Sequence, residues 1–137
     1  MIEKLTKKTI NQIFNDEGEE YFRDLETQCL QEIIKLPSVV VSTGGGIVLK
    51  KENWGVLRQG IVVWLDVKKD ILLSRLNQSK DNIRPLLKEN INVKYEEIFE
   101  TRKDFYAQAD LRLEINNEGV KNIAEKIIQA LKKEIFN

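Results

Sequence analysis

The sequence predicts an α/β protein with a parallel sheet, and three features of the chain lead to that prediction. Two uninterrupted apolar runs, at 39–41 and 61–65, have the character of buried strands. A third run, at 111–115, alternates apolar and polar residues. Stretches with helical periodicity separate these runs, and strands that alternate with helices favour a parallel sheet covered by helices.

Two helices are predicted before the first strand. Thr9 is placed to cap a short helix, and a longer helix over about 19–35 follows Gly18 and ends before Pro37. Their apolar faces recur at helical spacing. They comprise Ile10, Ile13 and Phe14 in the first helix and Phe22, Leu25, Cys29 and Ile33 in the second.

Three valines, Val39–Val41, run through Ser42-Thr43 into three consecutive glycines. The β-branched run predicts a buried parallel strand that is apolar on both faces. The glycines permit positive φ and let bare N–H groups approach a ligand, at the end of a strand where open α/β sheets bind small molecules. The alternative is a tight turn that binds no ligand. This run alone does not distinguish a ligand-binding loop from such a turn.

The middle of the chain continues the alternation. We predict a short helix around Trp54 that ends at Gly60, a strand over 61–65, and a helix over about 68–76. Residues 77–82 contain no apolar side chain and are predicted to form a loop.

The last third is predicted to be helix, strand and helix. Asn92 is placed to cap a long helix to about Ala109, and the alternation at 111–115 predicts an edge strand with one wet face. Gly119 precedes the final helix. The residues of that helix predicted to face the core are Val120, Ile123, Ala124, Ile127, Ile128 and Leu131.

Composition limits the classes of function. The chain has 137 residues, enough for one domain with a single core, and we predict one domain over 1–137. Lys+Arg and Asp+Glu both number 22, so a general binder of nucleic acid or anionic membranes is not expected. No apolar run is long enough to span a bilayer, and the N-terminus does not have the pattern of a signal peptide.

Histidine and cysteine usage narrows the chemistry further. There is no histidine, which excludes histidine metal ligands and histidine-based triads. The one cysteine, Cys29, forms no internal disulfide, is predicted to be an inert core residue, and fits a reducing cytoplasm. Catalysis must therefore use carboxylates, lysine, arginine, hydroxyls or backbone dipoles.

Arg102 is the charge that stands out, because it shares one helical stripe with Tyr95, Phe99 and Tyr106. In one interpretation its stem packs on the rings while its head reaches water. In the other, the guanidinium points at a carboxylate or phosphate in a cleft.

Other arginines have two interpretations as well. Arg23 is either a surface partner of Glu19, four residues earlier, or part of an anion site. Arg84, beside Pro85 after the polar loop, is either a loop charge or a lid arginine that closes over a transferring phosphoryl group. Arg75 resembles an ordinary helix-end charge. Spacing alone does not show whether these side chains converge.

Four segments, taken together, resemble the shikimate kinase family, and they occur in that family's order across essentially the whole chain. The segments are Ile13-Phe14 with Glu19-Glu20, Phe22-Arg23 and Glu26; Ser42-Thr43-Gly44-Gly45-Gly46; Arg84-Pro85-Leu86-Leu87; and Arg102 with Tyr106 and Ala109-Asp110. The resemblance implies a small P-loop kinase fold that transfers the γ-phosphoryl group of ATP to the 3-hydroxyl of shikimate. It also implies Mg²⁺ as cofactor and a cytoplasmic location.

The resemblance assigns a role to each matching residue. The shikimate-binding region would cover about 9–46, and a lid would cover about 77–90. Substrate-binding roles fall on Arg23 and Arg102, for the shikimate carboxylate, and on Gly44, Gly45 and Gly46, for the ring. The lid arginine that neutralises phosphate charge, a catalytic role, would be Arg84, with Arg75, Arg84 and Asn116 near the nucleotide. No residue of this chain is assigned to a metal.

One departure from the family pattern limits these expectations. The sequence contains no G-x-x-x-x-G-K-[ST], the loop that cradles nucleotide phosphates, and no aspartate-bearing strand ahead of Met1. The resemblance therefore implies a three-layer P-loop-kinase-like parallel sheet that is truncated at the N-terminus, without the first two strands and the P-loop helix. The segment that binds ATP and Mg²⁺ is then largely missing, and the isolated chain is expected to be inactive.

Three hypotheses follow from this departure. In the first, the chain is a shikimate kinase that has lost its first segment. In the second, it is a non-catalytic shikimate kinase-like binding protein. In the third, it is a different small-molecule kinase of the same fold. In the family the missing first strand would lie between the strands at 39–41 and 61–65. Those strands would then pair directly, another chain would supply a strand, or the sequence is incomplete, and both a monomer and a strand-edge dimer are open. Lys7 and Lys8 also stand where the family has a glycine turn.

Overall fold

The computed structural model describes residues 1–78 and 91–136. Most of the predicted lid, with Arg84, lies outside the described residues. In chain order the elements are α1 Ile2–Thr6, α2 Ile10–Asp16, α3 Gly18–Ile33, a 3₁₀ turn Gly45–Leu49, α4 Lys51–Leu57, β1 Val63–Val67, α5 Lys69–Gln78, α6 Ile91–Tyr106, β2 Leu111–Ile115 and α7 Val120–Phe136. Gly44 and the 3₁₀ turn, residues 44–49, are called the glycine turn below.

The sheet is parallel, as predicted. In the described residues it consists of β1 and β2, with Val63 opposite Leu111 and Val67 opposite Ile115. The carboxylate of Asp110 accepts a hydrogen bond from the Val62 N–H at 2.7 Å and so fixes the register where the ladder begins. The connection between the two strands contains α5 and α6, which agrees with the predicted alternation of strand and helix.

The predicted strand at Val39–Val41 is wrong. These residues belong to no strand, and the three valines are 45%, 101% and 41% exposed in chain order. A strand needs a neighbour for its backbone N–H and C=O groups, and no described residue pairs with this segment. An apolar, β-branched run therefore stays outside the sheet when it has no hydrogen-bonded neighbour.

Other boundaries differ by smaller amounts. β1 begins at Val63, two residues later than the predicted start, and β2 covers the predicted residues. Asn92 is the second residue of α6, not its cap, because the helix is already formed at Ile91.

The N-terminal helices form as their caps predict. The side chain of Thr9 accepts from the Gln12 N–H at 3.2 Å, and the Gln12 side chain accepts from the Thr9 N–H at 2.8 Å. This capping box satisfies two backbone donors that α2 would otherwise leave open. Lys7 follows the last residue of α1 as its C-cap, and its φ of 56° and ψ of 21° are left-handed, a conformation that favours glycine.

Replacing Lys7 with glycine is expected to stabilise the fold. A non-glycine residue in the left-handed region costs about 1 kcal/mol or slightly more, and glycine removes that cost while adding some unfolded-state entropy. We expect Lys7→Gly to raise the free energy of unfolding by about 0.5–1 kcal/mol in a urea titration. Lys4→Gly, within α1, is the matched control and should lower the same quantity. A loss of stability in Lys7→Gly would contradict the left-handed turn.

The hydrophobic core lies beneath the glycine turn. Leu30 from α3, Ile47 and Val48 from the turn, and Trp54 from α4 are each 6% exposed and form one cluster. Phe105 and Tyr106 of α6 pack against it. The apolar end of the glycine turn is thus anchored in the core, which leaves its glycine end facing α3 and α6.

Only part of the apolar face predicted for the last helix, α7, is buried in the structure. Ile123, Ile127 and Leu131 are half-buried, whereas Val120 and Ile128 are 85% and 51% exposed. Ala124 is exposed as well. α7 packs mainly on β2, and the apolar residues of α7 that lie away from β2 stay exposed. No helix among the described ranges is long and apolar enough to cross a membrane.

Candidate anion-binding site

The glycine turn presents free backbone donors at its first residues. Its first internal hydrogen bond runs from the Ile47 N–H to the Gly44 carbonyl at 3.2 Å. The N–H groups of Gly45 and Gly46 precede that bond, and within the described ranges neither has a hydrogen-bond partner. Gly46 is buried, so its N–H lies within the site and not on an open surface.

Arg23, on α3, packs directly against Gly46. A Cβ built on Gly46 would overlap Nη1 and Cζ of Arg23 and would lie 2.5 Å from its Nη2. The absence of a side chain at position 46 is therefore what lets the guanidinium reach the backbone. Arg23 is 8% exposed, so the interpretation as a surface partner of Glu19 is wrong about its position.

Two carboxylates on the same helix orient the Arg23 guanidinium. Glu19 accepts from Nε at 3.2 Å and from Nη2 at 3.0 Å, and Glu26 accepts from Nη1. A guanidinium has five N–H groups, so one on each Nη atom is left without a protein partner in the described residues. Glu26 is 7% exposed, and its Oε1 would lie 3.2 Å from a Cβ on Gly44.

Aromatic rings form a wall behind Arg23. The Phe22 ring lies 5.2 Å from the Arg23 Cζ and 4.8 Å from the Phe14 ring. Phe22 is 6% exposed. Because apolar rings exclude water from one side of the guanidinium, its attraction for an anion on the open side is stronger than at a wet surface.

Arg102, on α6, approaches the other side of the glycine turn. Its Nη1 would lie 3.7 Å from a Cβ on Gly45. Arg102 is 9% exposed, so the residue as a whole is buried and is not a solvated surface charge. No carboxylate and no hydrogen-bond acceptor contacts its guanidinium within 1–78 and 91–136. A buried cation without a counter-ion is expensive, and a bound anion removes that cost.

Tyr106, one turn after Arg102, fixes the start of the glycine turn. Its hydroxyl donates to the Gly45 carbonyl at 2.9 Å, and its ring packs 5.8 Å from Trp64 of β1. The same peptide unit carries the Gly46 N–H, so holding the carbonyl also sets the direction of that donor.

The structure thus brings together five predicted site residues, namely Arg23, Gly44, Gly45, Gly46 and Arg102. Sequence reasoning gave no role to Glu26 or Tyr106, although both belong to the quoted motifs. Their positions carried a signal, because Glu26 follows Arg23 by three residues and Tyr106 follows Arg102 by four, the spacings that share a helix face.

The predicted nucleotide residues lie elsewhere or outside the described residues. Arg75 is exposed in the last turn of α5, and Asn116 follows β2, where its N–H donates to Glu118 at 3.1 Å. Arg84 falls in the range that is not described. The roles given to these three residues stay predictions.

The residues described do not by themselves fit ATP and Mg²⁺. The printed sequence has no phosphate loop, and within 1–78 and 91–136 no cluster of three Asp, Glu, Cys or His residues could hold a metal ion. No phosphate or metal ligation is therefore derived from these residues.

The parallel sheet and its helices have the α/β fold of the P-loop kinases, as the superposition on solved kinases reported below shows. The profile described as shikimate kinase matches residues 1–132. The chain belongs to the shikimate kinase family.

Relatives of known sequence support this membership. A shikimate kinase of Prochlorococcus marinus is 45% identical over 124 residues, which is 90% of this chain and 62% of the relative. One of Microcystis aeruginosa is 46% identical over 133 residues, 96% of this chain and 69% of the relative. The chain therefore spans about two thirds of the length of the curated relatives it matches.

Solved structures have the same fold. A shikimate kinase of Acinetobacter baumannii, in complex with shikimate, superposes with a TM-score of 0.90 at 35% identity, over 97% of this chain and 75% of that one. A shikimate kinase of Bacteroides thetaiotaomicron gives a TM-score of 0.79 at 30% identity, over 99% of this chain and 80% of that one.

Proposed function

We propose that this chain binds shikimate at the glycine turn and forms the acceptor-binding part of a shikimate kinase. The observation that carries the proposal is Arg102, a buried guanidinium without a carboxylate partner in the described residues, beside a second guanidinium and free glycine N–H groups. A small acid with several hydroxyls supplies what the site lacks, namely one anion and several acceptors.

The energetics suit a ligand of this size. Each charge-assisted arginine contact contributes about 1.5–3 kcal/mol, so two of them could orient a small acid by its carboxylate. The N–H groups of Gly45 and Gly46 would donate hydrogen bonds to the oxygen atoms of ring hydroxyls at the same time. The bound shikimate named for the Acinetobacter relative supports this choice of ligand.

The reaction proposed for the family is transfer of the ATP γ-phosphoryl group to the shikimate 3-hydroxyl. Arg84 would neutralise phosphate charge from the lid, and Arg75 and Asn116 would lie beside the nucleotide. Phosphoryl transfer depends on positioning and charge neutralisation, for which arginines, Mg²⁺ and a closing lid suffice without histidine. The relatives' names support a kinase over a non-catalytic binding protein.

The chain as printed is expected to bind shikimate without turning over ATP. Titration calorimetry should show saturable binding of shikimate, and a coupled assay for ADP should show no shikimate-dependent turnover, because no phosphate loop holds the nucleotide. The same ring acid with its carboxylate converted to an amide is the control ligand and should bind at least about tenfold more weakly. Turnover at the rate of a typical kinase, or no heat with shikimate, would contradict the proposal.

We propose two further properties, which concern the oligomeric state and the location of the protein. β1 has a hydrogen-bonded neighbour on one side only within the described residues, and Val39–Val41 are exposed, so both a monomer and a strand-edge dimer remain consistent with the fold. A cytoplasmic location fits the family and the unpaired Cys29, and it stays a prediction.

A further inference from the structure

Asn53 is a buried amide that the site described above does not explain. It lies in α4, is 2% exposed, and its Nδ2 donates to the Ile47 carbonyl at 2.9 Å. The next residue, Trp54, donates from Nε1 to the Val48 carbonyl, also at 2.9 Å. Two consecutive side chains of α4 therefore hold two consecutive carbonyls of the glycine turn.

These carbonyls are at the end of the 3₁₀ turn, where the backbone has no internal donors left to satisfy them. At the other end of the turn, Tyr106 holds the Gly45 carbonyl. Gly46, which packs against the Arg23 guanidinium, lies between the two anchors. The position of Gly46 relative to Arg23 thus depends on both ends of the turn.

The second polar atom of Asn53 is unsatisfied. Its Oδ1 is sealed from solvent and has no hydrogen-bond partner, a state shared in the described residues only with Oδ1 of Asn11. An orphaned buried acceptor lowers stability, so the amide is not the side chain that maximises stability at this position. Its donor, aimed at the Ile47 carbonyl, is the feature that compensates for that cost.

We propose that Asn53 is a positioning residue, which acts through the Ile47 carbonyl to hold Gly46 and the adjoining donors in register with Arg23. Asn53 contacts no substrate in this role. The inference about ligand affinity rests on the proposed shikimate site, whereas the inference about the turn does not.

The test uses Asn53→Leu, which keeps the branching of the side chain at Cγ, is somewhat larger, and removes both the donor and the orphaned acceptor. We expect Asn53→Leu to weaken shikimate binding about tenfold in calorimetry and to lower the urea midpoint, because the Ile47 carbonyl loses its donor and becomes an orphaned acceptor in place of Asn53 Oδ1. Asn53→Asp, which keeps the shape but removes the donor, should weaken binding at least as much. Ile115→Val, in the buried β2 position, is the control and should lower stability without changing the affinity.

A second readout needs no ligand. In ¹⁵N–¹H spectra of the ligand-free variants, the amide signals of Gly45 and Gly46 and the Nε–H signal of Arg23 should move in both Asn53 variants and stay in place in Ile115→Val. Unchanged glycine and Arg23 signals in the two Asn53 variants would overturn the inference. An unchanged shikimate affinity in these variants would overturn it as well, when the wild type binds shikimate. If the wild type binds no shikimate while the glycine signals still move, the proposed function fails and the positioning of the turn by Asn53 stands.

Discussion

Replacing Arg102 with methionine is expected to abolish most of the affinity for shikimate while making the protein more stable. The variant removes a buried guanidinium that has no carboxylate partner in the described residues and fills most of its volume with a thioether side chain. Loss of one charge-assisted contact should raise Kd by about tenfold to a hundredfold. The free energy of unfolding should rise by about 1 kcal/mol or more, since an uncompensated charge no longer has to be buried.

Arg23→Met is the matched comparison, and it should move stability in the opposite direction. Arg23 is paired with Glu26, which is itself buried, so its removal leaves a carboxylate without a counter-ion. We expect a comparable loss of affinity together with a loss of about 3–5 kcal/mol in the free energy of unfolding, or failure to fold. Equal effects of the two variants on stability would show that Arg102 is not the unpaired charge of this site.

Gly46→Ala is the second change with a large expected effect, because its Cβ would occupy the space of the Arg23 guanidinium. The overlap involves Nη1 and Cζ, and the 2.5 Å approach to Nη2 leaves no room on that side either. Glu19 and Glu26 hold the guanidinium, so it moves only by breaking those ion pairs. Loss of the charge-assisted contact from Arg23 should raise Kd for shikimate by about tenfold to a hundredfold.

Gly55→Ala controls for the general effect of adding a methyl group at a glycine. A Cβ at Gly55 meets nothing within 4 Å, and the residue lies inside α4. The variant should bind shikimate as the wild type does and gain up to about 1 kcal/mol in stability from its better helix propensity. If Gly46→Ala binds shikimate normally in calorimetry, the close packing of Arg23 on the glycine turn does not determine affinity.

Local sequence signals predicted the parts of the fold that depend on neighbouring residues. Thr9 caps α2 through its own side chain, and the alternation at 111–115 appears as strand β2. The valines at 39–41 show the limit of this reasoning. Whether such a run becomes a strand depends on a hydrogen-bonded neighbour elsewhere in the chain. The residue types within the run do not show whether that neighbour exists.

The candidate site could be predicted in part. The motifs indicated the two arginines and the glycines, but an exposed arginine whose stem packs on rings and a buried arginine have the same spacing in a helix. Only the tertiary structure separates them, through the 9% exposure of Arg102. The link from Asn53 to Ile47 joins a side chain to a backbone carbonyl six residues earlier, and no sequence pattern encodes that contact.

The most direct test of the shared carboxylate site is a shikimate titration followed through the arginine side-chain Nε–H signals in ¹⁵N–¹H spectra. If the two guanidiniums share one carboxylate beside the glycine turn, the Arg23 and Arg102 signals will shift together and give the same Kd, while those of Arg58 and Arg112, which have other partners, will stay in place. Separate saturation of the two signals, or a shift of only one, would contradict a single shared site.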